Sequence, residues 1–157
     1  MYMSEEEISK EKEEAHREIV EVLDKLGRQY PEITEGLAAI LGSGAGVAGG
    51  IAAIAKISVR GLSGPGIVNA LAKVGRLVGG GMVRGMGVFG LFVALVGIVV
   101  YHVAKSRRDA KLSVALGTAI ERLYDVQNRL MDNAEYFKEE IAEIKVAIDL
   151  LNRSKLN

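Results

Sequence analysis

The sequence predicts an all-α, membrane-embedded protein, in which a glycine-rich helical hairpin or three-helix core is flanked by an N-terminal amphipathic helix and a long C-terminal coiled-coil helix. Three observations indicate this class. Apolar residues recur at helical spacing in both terminal segments. Most of the 19 glycines lie between residues 36 and 97, and residues 36–104 carry no acidic side chain. The predicted regions are an acidic amphipathic helix (1–32), a glycine-rich membrane region (33–104) and a coiled-coil helix (105–157).

Charge is strongly segregated along a chain whose formal net charge is zero. Residues 1–35 hold eleven acids and five bases, residues 36–104 hold five bases and no acid, and residues 105–157 hold ten bases and nine acids. Bases without acids among apolar residues suit contact with anionic lipid headgroups. A nucleic-acid interface is expected to be polar as well as basic. The expected partner is therefore a lipid bilayer and not nucleic acid.

The N-terminal segment predicts an amphipathic helix from Ser4 to Arg28. Ser4 and Glu7 have the spacing of a capping box, and Gly27 and Pro31 mark its end. Apolar residues at helical spacing form one face of this helix: Ile8, Ala15, Ile19, Val22, Leu23 and Leu26.

Residues 33–55 predict a first membrane span, because a helix of this length covers about 34 Å and the segment carries a single charge, Glu35. Small residues recur there at every fourth position: Ala38, Gly42, Gly46 and Gly50. Such a series lets a neighbouring helix approach closely. It indicates either tight packing within a bundle or a glycine zipper that assembles several copies around a shared axis.

A second helix is predicted from residue 67 to about residue 78, with an extension to residue 84 as the alternative, after the glycine-rich break at 61–66. Its polar face is basic and consists of Asn69, Lys73, Arg76 and Arg84. A helix of this kind either lies in the headgroup layer with its basic side chains reaching the interface, or lines a water-filled pore.

A third apolar segment, residues 85–104, carries no formal charge and predicts the clearest transmembrane span. Tyr101, Lys105, Arg107 and Arg108 follow in the order expected at a cytoplasmic membrane boundary. The expected location is therefore a bacterial inner membrane with the C-terminal helix in the cytoplasm.

The C-terminal 50 residues predict one long helix with a heptad seam, which indicates a coiled coil or an antiparallel bundle. The seam includes Leu116, Leu123, Leu130, Phe137, Ile144 and Leu151. Asn133 in this seam is expected to fix register or oligomeric state. A protein partner that binds through this helix is a further expectation.

No catalytic or cofactor site is expected from the sequence, and the chain is not expected to be an enzyme. Residues 44–49 match the GxGxxG form, but no acid follows at the spacing of a dinucleotide-binding fold. His16 and His102 belong to no metal-ligand pattern, so His16 is interpreted as solvated and His102 as interfacial. The carboxylates are interpreted as a solvated charged face. Cysteine is absent, which excludes thiolate metal sites.

The segment 61–71, continuing to 78–83, resembles a glycine-rich repeat of small bacterial membrane proteins of uncharacterised role, in which an apolar span, a basic cluster and a coiled coil follow. It is more distantly similar to the glycine-rich region of the interferon-inducible small membrane proteins. The layout is also similar to that of α-helical pore-forming toxins, in which helices shield an apolar hairpin. Lys73, Arg76 and Arg84 stand where these resemblances lead us to expect small residues.

Three functional hypotheses follow. The first is a membrane-permeabilising or channel-like homo-oligomer, a pore-forming effector whose basic lining favours anions. The second is a non-conducting membrane anchor or scaffold whose coiled coil recruits a partner protein. The third is a soluble helical bundle that buries the apolar hairpin and inserts it only on a trigger.

Overall fold

A computed structural model describes residues 2–41, 50–53, 55 and 88–155. The all-α class is confirmed, since every regular element in these ranges is a helix: α1 (Glu5–Gln29), α2 (Pro31–Leu41), α3 (Val88–Arg107), α4 (Ala110–Met131) and α5 (Lys138–Lys155). Several residues with predicted roles lie outside the described ranges: Gly42, Gly46, Asn69, Lys73, Arg76 and Arg84.

Helix α1 begins as the sequence predicts. The Ser4 hydroxyl accepts a hydrogen bond from the Glu7 backbone N–H at 3.2 Å, and the Glu7 carboxylate accepts from the Ser4 N–H at 3.0 Å. This capping box satisfies two N–H groups that a helix start leaves unpaired. Tyr30 separates α1 from α2, and Pro31 occupies the first position of α2, where its missing N–H is no loss.

Helix α5 lies at the centre of the bundle, between α3 and α4. It runs antiparallel to α4, because Ser113 near the start of α4 donates a hydrogen bond to the carbonyl oxygen of Lys155. The start of α3 and the start of α5 lie at the same end of the bundle, where His16 of α1 contacts Phe89 and Glu143. Helix α2 runs back along α3, which places Gly36 beside Val99.

The prediction of one long C-terminal helix is wrong. Helix α4 ends at Met131, and the chain turns through residues 132–137 before α5 begins. The turn is closed by backbone bonds from Asn133 N–H to the Leu130 carbonyl and from Tyr136 N–H to the Asn133 carbonyl. The seam residues are all at most 1% exposed: Leu116, Leu123, Leu130, Phe137, Ile144 and Leu151. They form the core of an antiparallel hairpin, the second arrangement that the pattern allows.

The prediction of an unbroken helix over residues 33–55 is also wrong. A methyl group added at Gly27 would lie 2.7 Å from both Thr34 Oγ1 and Ile51 Cδ1, so these two side chains are close together. An unbroken helix would separate Thr34 from Ile51 by about 26 Å. Gly50 also has φ +75°, a left-handed conformation that a right-handed helix does not contain.

Candidate functional site

The candidate functional site is the apolar helix α3 and the side chains that enclose it. Ten consecutive residues, 91–100, are buried. Among the helices that the structure describes, this is the one long and apolar enough to cross a membrane, and 67% of its most apolar stretch is buried inside the bundle. A helix that is apolar on all sides is stable either in the core of a bundle or in a bilayer.

Two glycines allow the covering helices to approach closely. A Cβ added at Gly97 of α3 would lie 2.9 Å from Leu150 Cβ of α5, and one added at Gly36 of α2 would lie 2.9 Å from Val99 Cγ1. The sequence predicts other packing residues. Of those residues, Ala38 is buried, and a Cβ added at Gly50 would lie 2.7 Å from Asp24 Oδ1.

A cluster of ionisable side chains lies at the N-terminal end of α3. The His16 ring stacks on Phe89 with a centroid separation of 3.9 Å, and His16 Nε2 lies 3.5 Å from Glu143 Oε2. Beside it, Lys12 Nζ lies 3.9 Å from Glu140 Oε2. Glu140 and Glu143 are 3% and 2% exposed, so two carboxylates of α5 are removed from water where α1, α3 and α5 meet.

Burial raises the pKa of the Glu143 carboxyl, His16 opposes that shift, and Glu140 adds to it. Within the part of the chain that the structure describes, His16 Nε2, Glu140 Oε1 and Glu143 Oε2 are buried without a hydrogen-bond partner. The 3.5 Å contact between His16 and Glu143 is too long for a good hydrogen bond. Unsatisfied buried carboxylates oppose folding, so this cluster lowers the stability of the closed bundle at one end of α3.

Sequence reasoning missed this cluster. The interpretation of His16 as solvated is correct only in part, because its side chain is 32% exposed while its Nε2 atom is buried and its ring packs on Phe89. The interpretation of the carboxylates as a solvated face is wrong for Glu140 and Glu143, and also for Asp24, which accepts hydrogen bonds from the Arg28 side chain and the Ala52 N–H. Glu140 lies four residues before the seam residue Ile144 and shares its helix face, which was a readable signal of burial, whereas Glu143, one residue before Ile144, carried no such signal.

The predicted membrane-boundary residues lie together at the C-terminal end of α3. Tyr101 is half-buried, while Lys105 and Arg108 are exposed. Arg107 pairs with Glu32 at 2.5 Å and with Asp109 at 3.8 Å. This end of α3 is therefore tied to the start of α2 by a surface ion pair.

Among the described residues, no group of three or more His, Cys, Asp or Glu side chains is placed to hold a metal ion. The two carboxylates of this cluster contact cationic or ionisable partners instead, Lys12 beside Glu140 and His16 beside Glu143. Comparison with protein-family models, curated proteins and solved structures found no match for this chain.

Proposed function

We propose that this protein is a membrane-permeabilising homo-oligomer that holds its apolar helix α3 inside a bundle and transfers it into a bilayer. The observation that carries the proposal is the burial of residues 91–100 beneath amphipathic helices. Helix α3 is about 30 Å long, which matches the hydrocarbon thickness of a bilayer. The apolar surface of α3 is therefore removed from water both inside the bundle and in a bilayer. Which of the two it occupies depends on how tightly the other helices cover it.

Transfer of α3 would leave apolar side chains of α5 without a partner. Leu150, which packs on Gly97, is among these side chains. A bare apolar face in water is unfavourable by about 25 cal/mol for each Å². A second copy of the chain, with the same face uncovered, offers the complementary surface. Assembly of several copies thus follows from the loss of α3, and this supports the homo-oligomer.

The hairpin of α4 and α5 is suited to survive that change. Helices α4 and α5 are antiparallel neighbours in direct contact, and seam residues of both, such as Leu123 and Ile144, are buried. The pairing of α4 with α5 therefore does not require α3, and the hairpin can act as the assembly unit outside the membrane. The basic stripe that includes Lys73 and Arg76 is proposed to face the aqueous path, which predicts a preference for anions.

Purified full-length protein added to dye-filled liposomes tests the proposal. We expect dye release and, in planar bilayers, stepwise conductance that favours chloride over potassium. Lys73→Ala with Arg76→Ala should reduce this anion preference, whereas Lys10→Ala with Lys138→Ala, which removes the same charge from α1 and α5, should leave it unchanged. Liposomes that retain their dye and bilayers that show no conductance at any protein concentration would contradict the proposal.

A second candidate function is the non-conducting scaffold, which one observation favours. Tyr124 and Met131 of α4 are 45% and 54% exposed although both are large and apolar, and seven-residue spacing places them on one face. Tyr124→Glu with Met131→Glu changes this face without disturbing the core. If the scaffold is correct, that pair abolishes function in cells and Lys73→Ala with Arg76→Ala does not. The reverse result would exclude it.

A further inference from the structure

A groove of about 580 Å³ lies between α1 and α4 and ends at Arg107. Its volume is in the range of small-molecule binding sites. The floor is apolar, because the buried side chains of Val22, Leu26 and Ala119 form it. Val114 continues this apolar surface along one edge and is 72% exposed. The groove therefore offers a strip of apolar surface that the bundle leaves accessible.

Three cationic side chains stand around this apolar floor: Lys25 on α1, and Lys111 and Arg122 on α4. All three are exposed, and none of their side chains forms an ion pair or hydrogen bond in the structure as described. The other charged groups of the lining, Arg107 and Asp109, pair with each other.

The rest of the chain provides no acidic side chain for these cations. Every Asp and Glu of the sequence lies in the described ranges, since residues 36–104 contain none. Glu21, four residues before Lys25 on α1, is at a favourable spacing but forms no ion pair with it. Lys25, Lys111 and Arg122 are therefore available to an anionic group of another molecule.

We propose that this groove binds a single-chain anionic amphiphile, such as a fatty acid, with its acyl chain along the floor and its carboxylate or phosphate head held by cations of the rim, of which Lys111 and Arg122 lie about 16 Å apart along α4. The cations match the charge of the head, and the floor formed by Val22 and Leu26 matches the chain. A bilayer headgroup layer matches the cations but presents no acyl chain to the floor. The site does not depend on the proposed function, since it lies on α1 and α4 and requires no transfer of α3.

Photo-crosslinking of the full-length protein with a diazirine-bearing fatty acid tests the site in buffer or in neutral detergent. The expected label lies in residues 22–30 and 111–122. Laurate should compete with the label, because it has both a charged head and a chain. Dodecyl maltoside has a chain without charge and inorganic phosphate has charge without a chain, so neither should compete. Label confined to α3 would overturn the proposal, because it would indicate partitioning onto the apolar helix.

Two matched triple variants distinguish binding in the groove from a general effect of net charge. Each basic residue beside an anionic head strengthens binding about fivefold, and one head lies beside at most two of the three cations, so removal of all three should weaken laurate competition about 25-fold. The groove variant is Lys25→Gln, Lys111→Gln and Arg122→Gln. The control variant, which removes two lysines and one arginine from exposed positions elsewhere, is Lys10→Gln, Arg17→Gln and Lys138→Gln. Equal weakening in both variants would overturn the proposal, and so would no weakening in the groove variant.

The exposed edge provides an independent variant. Val114→Glu places a carboxylate on the edge of the groove, one helical turn from Lys111, and the exposure of this position lets the chain fold. Because the new carboxylate occupies the place of the ligand head, competition by laurate should weaken about tenfold or more. Unchanged competition would contradict the placement of the head. Dye release from liposomes by the same variant reports on the proposed function separately.

Discussion

Replacement of Glu143 by Gln is expected to stabilise the closed bundle at neutral and alkaline pH. The carboxyl is 2% exposed, and its Oε2 atom has no hydrogen-bond partner among the described residues. Such a group lowers stability by about 1–3 kcal/mol, and His16 at 3.5 Å offsets part of this. The expected gain is therefore about 1–2 kcal/mol at pH 8, which raises Tm by about 2–4 °C for each kcal/mol.

The pH dependence of this gain follows from the raised pKa of Glu143. Burial raises that pKa in the folded state above its ordinary value of 4.5, so the folded chain holds a proton that the unfolded chain releases. The stability that the protonated Glu143 carboxyl contributes is fully present below its ordinary pKa. This stability is lost as the pH rises through the raised pKa of the folded state. The advantage of Glu143→Gln should therefore be small at pH 4 and largest at pH 8.

Thermal unfolding followed by far-ultraviolet circular dichroism at both pH values measures this difference. Glu139→Gln is the matched control, because Glu139 is an exposed carboxylate on the same turn of α5. It should change stability by at most about 0.5 kcal/mol. A loss of stability in Glu143→Gln at pH 8 would contradict this prediction. It would mean that the contact of Glu143 with His16 stabilises the bundle by more than the burial of the carboxylate destabilises it.

Three further predictions concern the stability of the bundle, and thermal unfolding measures each of them. Ser4→Ala removes the N-terminal cap of α1 and should destabilise by about 1 kcal/mol, whereas Ser4→Asp should retain the cap. Gly97→Ala should destabilise by about 1–3 kcal/mol, because the new Cβ would lie 2.9 Å from Leu150 Cβ, whereas Gly117→Ala, which meets only the end of a lysine side chain, should stabilise. Leu123→Asp buries an unpaired charge in the hairpin and should prevent its formation, whereas Tyr124→Asp at the exposed neighbouring position should have little effect.

Local signals in the sequence were sufficient to predict the start of α1 and the presence of α3. The capping box at Ser4 and Glu7 depends on residues three apart, and it is present as predicted. The apolar segment before Lys105 also forms the helix that its composition indicates. In both cases the determining interactions lie within one or two helical turns, so their effect can be predicted without the rest of the fold.

The division of the C-terminal region into two helices was not predicted, because the turn keeps the heptad pattern in phase. Leu130 and Phe137 are seven residues apart, as in an unbroken helix, although the chain reverses between them. Asp132 and Asn133 are adjacent turn-forming residues and were the available signal. An Asn in a seam position favours a turn as readily as it fixes the register of a coiled coil.

The ionisable cluster was beyond prediction from sequence for a different reason. His16 and Glu143 lie on helices that are far apart in the chain, and the contact exists only because both helices pack beside the start of α3. The enclosure of α3 is likewise a property of the whole bundle. Composition alone cannot distinguish a membrane-spanning helix from a buried core helix, since both are apolar on all sides.

We propose that α3 must leave the bundle to permeabilise a membrane. A disulfide that joins α3 to α5 provides a direct test. The chain contains no cysteine, so Gly97→Cys with Leu150→Cys introduces a single pair. A Cβ at Gly97 would lie 2.9 Å from Leu150 Cβ, so α3 and α5 must separate slightly to reach the distance of about 3.5–4.5 Å in disulfides, and Leu150→Cys removes the Cδ1 atom that lies 2.8 Å from that position. The disulfide closes a loop of about 54 residues and should stabilise the closed bundle by about 4 kcal/mol.

Dye release from liposomes is measured before and after addition of dithiothreitol to the same oxidised sample, with Gly97→Cys alone as the control for the substitution. If α3 must leave the bundle, liposomes treated with the oxidised double variant should retain their dye. Reduction should restore dye release to the level of the Gly97→Cys control. Release by the oxidised double variant at the level of the control would contradict this prediction, because α3 would then act without leaving α5.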